Sequence, residues 1–167
     1  MKNVKLATAA LTEYSKAIDA LKKGPYAYAA ESAQVEYNEI AGWKAFAEGD
    51  SVAAVTSMRK AADQQDKLGQ GEVDIPAREM LGDLLMLEGK PSDALKEYKV
   101  ALTLSPNRLN GLLSAGAAEE ALGDKTAAAR YYTKAAQNTN DAATSRRPEL
   151  RHAVEFVKQQ ASATKAE

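Results

Sequence analysis

Small and apolar residues return along this chain at helical spacings, three and four apart, rather than in strict alternation, so helices are predicted throughout. Between 82 and 135 the pattern is a repeat. Gly82, Gly89, Ala94, Tyr98 and Ala101 recur, all at one constant offset, as Gly116, Gly123, Ala128, Tyr132 and Ala135. An earlier copy, Gly42, Gly49, Ala54, Met58 and Ala61, keeps the internal spacings of 7, 5, 4 and 3 but lies more than one repeat length upstream. The excess is six residues, and it sits in the connection around Lys67-Leu68-Gly69-Gln70-Gly71. Within each copy one helix is expected to end at a glycine in a left-handed conformation (Gly49, Gly89, Gly123). The next helix starts at once, with Asp50 and Asp124 placed as N-caps and Pro91 at a first-turn position. In each second helix the alanine, aromatic (or Met58) and alanine positions share one face. The small residues allow close approach there, and the large one fills the gap. A lone helix pair cannot bury such a stripe, so the copies are expected to stack.

The flanks extend the pattern. Leu6, Ala10, Tyr14, Ala17, Ile18 and Leu21 predict a helix over 3–22, broken by Lys22-Lys23-Gly24-Pro25. A long helix is expected from about Tyr26 to Glu48. Downstream, Arg146-Arg147-Pro148 starts a last helix with Leu150, Val154, Val157 and Ala161 on its apolar face, and Ser162 to Glu167 are expected to fray. The organisation is thus degenerate N-terminal helices at 3–34, repeats at 35–68, 75–108 and 109–142, and a capping helix at 147–165.

The pattern L-G-x6-G-[KD]-x3-A-x3-Y-x2-A, followed by Pro106 in the middle copy, resembles the tetratricopeptide repeat (TPR). The copy at 75–108 is the nearest to it. The copy at 109–142 carries Asn140 in place of the proline, and that at 35–68 departs by Met58 in the aromatic slot. The stretch from Glu72 through Leu150 also resembles the C-terminal repeats of larger bacterial TPR proteins, which commonly have further repeats upstream and some of which are exported. The resemblance implies an all-α fold, an α–α superhelix of about eight helices. It also implies a concave groove, lined by the first helix of each pair, that receives a peptide or a partner helix. By register, that groove would present Glu39, Trp43 and Phe46 from the first copy and Glu79, Asp83 and Met86 from the second. The third would contribute Asn110, Leu113, Ala117 and Glu120. One TPR subgroup grips a partner's terminal carboxylate with Lys, Asn and Arg. Here Glu39, Trp43, Asn110 and Ser114 occupy those places, so that clamp is absent and a basic or hydrophobic partner fits better.

Composition narrows the function classes. Alanine accounts for 34 of the 167 residues, while Phe and Trp together supply three. That balance favours helices packed through small side chains. With no Cys and one His, disulfides, thiolate catalysis and Cys- or His-rich metal sites are excluded. No phosphate-binding loop exists, since Gly69-Gln70-Gly71 lacks the required lysine, and no nucleophile–base pair can be proposed. Asp63, Asp66, Glu119 and Glu120 read as a solvated helix face, and His152 as a solvent-facing residue within reach of Glu155. No cofactor, metal or catalytic residue is therefore expected. The formal charge of −1 gives no global pull toward nucleic acid or membrane, yet basic residues gather at both ends while the groove positions are acidic. No signal peptide or apolar stretch of spanning length is expected from the sequence, and the compartment stays open between cytoplasm and periplasm. Trp43, Tyr26, Tyr28 and Tyr37 are either packing residues or surface anchors. Tyr131, beside the packed Tyr132, is expected to be partly exposed. The expected function is a non-enzymatic protein-binding module. The alternative is an assembly segment of a larger repeat protein, or of a homo-oligomer, that stacks through its N-terminal helices.

Overall fold

The computed structural model describes residues 2–69, 75–140 and 142–164. Among the described residues eight α-helices follow one another: Lys2–Lys23 (α1), Ala29–Ala47 (α2), Ser51–Leu68 (α3), Ala77–Leu87 (α4), Pro91–Leu104 (α5), Leu109–Ala121 (α6), Lys125–Gln137 (α7) and Pro148–Thr164 (α8). A single 3-10 turn, Ala142–Thr144, precedes α8, and no strand occurs among the described residues. The chain divides into two compact units, Met1–Leu84 and Leu85–Glu167, with the boundary inside α4.

Local chemistry sets the helix ends. Gly49 and Gly123 adopt φ of 83° and 84°, a left-handed conformation that glycine reaches without steric cost. The residue after each glycine caps the next helix: Asp50 accepts from the Ala53 amide at 2.9 Å, and Asp124 from that of Ala127 at 2.8 Å. Pro91 opens α5, where its missing N–H has no partner to lose. Part of the inserted connection, Gln70 and Gly71, lies outside the described residues.

In the first unit α2 packs on both α1 and α3. Ala54, Met58 and Ala61 are fully buried along α3. Gly42 in α2 meets them so closely that a Cβ there would stand 3.2 Å from the Ala54 carbonyl oxygen and 3.2 Å from the Met58 nitrogen. The N-terminus of α4 is fixed to the last turns of α3. Gln65 Oε1 accepts from the Ala77 amide at 2.8 Å, and the Arg78 guanidinium bonds Asp63 at 2.8 Å and also Asp66. Asp63 and Asp66, expected as a solvated face, are thus tied into an ion-pair cluster. Along α1 the inward face runs through Val4, Ala7, Leu11, Tyr14 and Ile18. Leu6 and Ala17, expected on the apolar stripe, are exposed, because α2 covers a face rotated away from them. Helix α2 starts at Ala29 rather than Tyr26. Tyr26 and Tyr28 lie in the preceding turn, exposed and edge-on to one another with centroids 6.3 Å apart.

In the second unit α6 packs on α5 and α7, and α8 closes over α7. The core joins Leu112, Leu113, Ala128, Tyr132, Ala135, Leu150, Ala153 and Phe156. Helix α8 therefore buries Leu150, Ala153 and Phe156. Val154 and Val157 are half-buried and Ala161 is exposed. The stripe expected from sequence is turned too far, since it leaves Phe156, whose ring packs edge-on against Tyr132 at 5.3 Å, off the core face. Ser162–Thr164 continue α8 instead of fraying, and 165–167 lie outside the described residues. Tyr131 is half-buried against this core. No described helix is long and apolar enough to cross a membrane.

Candidate functional site: two acidic clefts on the first helices

In the first unit, α1 and α2 enclose a cleft of about 360 Å³ together with Met80 of α4. Val4, Ala7, Ile40, Trp43 and Met80 give it apolar walls, and Glu39 is its carboxylate. Phe46 supports the wall from behind, edge-on to Trp43 at 6.1 Å. Lys44 also lines the cleft, but its ammonium is held by Glu48 at 2.7 and 2.8 Å. Glu39 makes no hydrogen bond or ion pair among the described residues. Burial, and secondarily the neighbouring Glu36, pushes its carboxyl up to about 6. Glu36 itself accepts from the Tyr14 hydroxyl at 2.7 Å, and that bond raises the Tyr14 hydroxyl's pKa. The cleft thus holds a partly desolvated carboxylate, with no protein partner among the described residues, beside the chain's only indole.

In the second unit, a larger cleft of about 700 Å³ is lined by Leu113, Ser114, Ala117, Glu120, Tyr132, Pro148 and His152 among others. Its carboxylate is already engaged. The Tyr132 hydroxyl donates to Glu120 Oε2 at 2.9 Å, and His152 Nε2 donates to the same oxygen at 2.8 Å. His152 also stands edge-on to Tyr132 at 5.7 Å. Burial, then the bond to Glu120, raises the Tyr132 hydroxyl's pKa well above its ordinary value. His152 is exposed, as expected, but its partner is Glu120 of α6 and not Glu155 of its own helix. No group of three or more potential metal ligands occurs among the described residues.

Of the groove residues expected from sequence, the structure brings Glu39 and Trp43 into the first cleft and Leu113 and Glu120 into the second. Ala117 joins the latter pair. Glu79 is only 2% exposed, because Pro76 to Glu79 are all buried where α4 begins. Its carboxylate does not stand at a surface. Asn110 accepts from Arg147 at 2.8 Å, so its side chain is committed within the fold. Asp83 and Met86, half-buried on α4, line neither cleft. Sequence reasoning missed the α1 wall of the first cleft. Its signal was the apolar i, i+3 pair Val4 and Ala7, masked by the competing stripe through Leu6.

No family model matches the chain, and comparison with curated proteins finds no relative. Among solved structures, the chain is similar to one described as "Crystal structure of MamA protein". The two are 22% identical, with a TM-score of 0.55, over 81% of this chain and 70% of that one. The fold is a TPR-like helical repeat. At that identity the likeness speaks for architecture alone.

Proposed function

We propose that this chain is a non-enzymatic protein-interaction module, and that its α1–α2 cleft receives a partner's Lys or Arg side chain next to an apolar one. The observation that carries this reading is Glu39, a carboxylate in a largely apolar cleft that pairs with no cation among the described residues, beside Trp43. A TPR-like fold supplies rigid helical walls, and preorganised walls reduce the ordering cost of binding. Trp43 provides the broad, partly desolvated contact typical of binding hot spots. The volume, about 360 Å³, suits one or two side chains of a peptide.

Glu39→Gln separates this role from a structural one. The folded-state carboxyl titrates near 6, above its unfolded value. Its proton-linked stability is therefore full below the unfolded value and is lost as pH rises through about 6. Removing the charge should stabilise the fold at neutral pH by about 1 kcal/mol, after allowance for solvent screening at a half-buried site. The same change should weaken a Lys-Leu-containing peptide about fivefold to tenfold in calorimetric titration. A variant that gains stability and keeps full peptide affinity would exclude Glu39 from the binding site.

A further inference from the structure

The second unit carries another concave surface, opposite in charge to the two acidic clefts. Helices α7 and α8 border a cleft of about 690 Å³ into which Lys125, Arg130 and Lys134 project. Thr126, Thr133 and Gln137 add hydroxyl and amide groups, while Ala129 and Val157 form an apolar floor. Among the described residues no carboxylate lines it. Among the described residues none of the three cations forms a salt bridge, whereas Lys96 on α5 is paired with Asp93 at 2.7 Å. The repeat does not require these charges. The equivalent positions of the middle copy hold Pro91, Lys96 and Val100, and those of the first copy hold Ser51, Thr56 and Lys60. Lys125 even sits in the first turn of α7, where a cation opposes the helix dipole. In a chain of net charge −1, three cations around one cleft, none in a salt bridge among the described residues, are a local excess.

We infer that the α7–α8 cleft binds an extended acidic peptide, through carboxylates seated on Arg130 and Lys134 with Lys125 at one end. The spacing supports an extended chain. Thr126, Arg130, Lys134 and Gln137 follow one row of α7, about 16 Å long at 1.5 Å per residue, which matches about five residues of an extended strand. Arg130 and Lys134 lie about 6 Å apart along the axis, close to the roughly 6.7 Å between side chains two residues apart on a strand. Acidic residues at alternate positions therefore meet both cations. Residues between them project to the opposite side of the strand, away from those two cations. Peptide carbonyls and amides find Thr133 and Gln137. A nucleic-acid strand fits less well, because among the described residues no aromatic side chain lines the cleft to stack a base.

The test is a fluorescence-anisotropy titration of the whole chain with three labelled peptides. One has Glu alternating with Val, one has the same residues with the Glu contiguous, and one has Gln for Glu. A uridine oligonucleotide serves as competitor. The alternating peptide should bind saturably, more tightly than both others, and weaken as salt is raised. Arg130→Glu with Lys134→Glu should reduce its affinity by at least about tenfold. Both residues are exposed on α7, so the denaturation midpoint should fall only slightly, by the loss of a cation from the last turn. Amide chemical-shift changes in the unmodified protein should fall on α7 and α8, which decides the matter even if the double variant fails to fold. Equal binding of the Gln peptide, tighter binding of the oligonucleotide, or shift changes elsewhere would each overturn the assignment.

Discussion

Tyr132→Ala should lower unfolding free energy by about 3–5 kcal/mol, the usual cost of truncating a large buried aromatic side chain. The size follows from its surroundings. The ring is 2% exposed and packs edge-on against Phe156 and His152, and its hydroxyl is donated to Glu120. Truncation leaves a cavity between α6, α7 and α8, and removes a bond that holds one wall of the second cleft. Denaturant titration with the slope held constant reads the effect. A loss below about 1 kcal/mol would mean that α8 does not seat on Tyr132 as described.

Gly116→Ala should be the second most damaging change, at about 2–3 kcal/mol, by overpacking. A Cβ at 116 would fall 2.4 Å from the edge of the Tyr132 ring, and the Glu120 bond and the Phe156 contact resist any shift of that ring. Because the obstacle is a side chain, Tyr132→Leu should absorb part of the clash, so the double variant should be more stable than the sum of the single losses predicts. Gly42→Ala offers the contrast. Its nearest neighbours are the Ala54 carbonyl and the Met58 backbone nitrogen. Trimming Met58 should give no comparable relief. Additive losses at Gly116 and Tyr132 would contradict the packing described for the second unit.

These two sites show what the sequence made legible. The glycine turns, the Asp50 and Asp124 caps, and the burial of Met58, Tyr98 and Tyr132 follow from local spacing, since each is decided within two neighbouring helices. Rotation of a helix about its own axis is harder to read. On α8 both Leu150–Val154–Val157 and Leu150–Ala153–Phe156 are apolar, and only the position of Tyr132 selects between them. On α1 the choice between Leu6 and Val4 depends in the same way on where α2 lies. The Arg78 cluster is invisible in sequence because Asp63 and Asp66 look solvated until the first turn of α4 is docked on them. Glu79 fails for a related reason: acidic character argues for exposure, and nothing nearby in sequence announces that Pro76 to Glu79 are buried. Glu39 and Trp43 are legible, since their four-residue spacing puts them on one face whatever the rotation.

The two proposed surfaces are independent of one another. The α1–α2 cleft attracts cations and the α7–α8 cleft attracts carboxylates, so loss of one leaves the test of the other intact.

Trp43 makes the central claim directly measurable, because it is the only tryptophan and lines the cleft itself. Its emission should be followed while a Lys-Leu-containing peptide is titrated at several pH values. Glu39 in the free cleft titrates near 6, and a cation beside it would lower that value. Affinity should therefore be full above about pH 6 and weaken below it by up to about tenfold per pH unit, with a saturable change in Trp43 emission throughout. Peptide binding that leaves Trp43 emission unchanged, or that has the same affinity at pH 5 as at pH 7, would contradict the account.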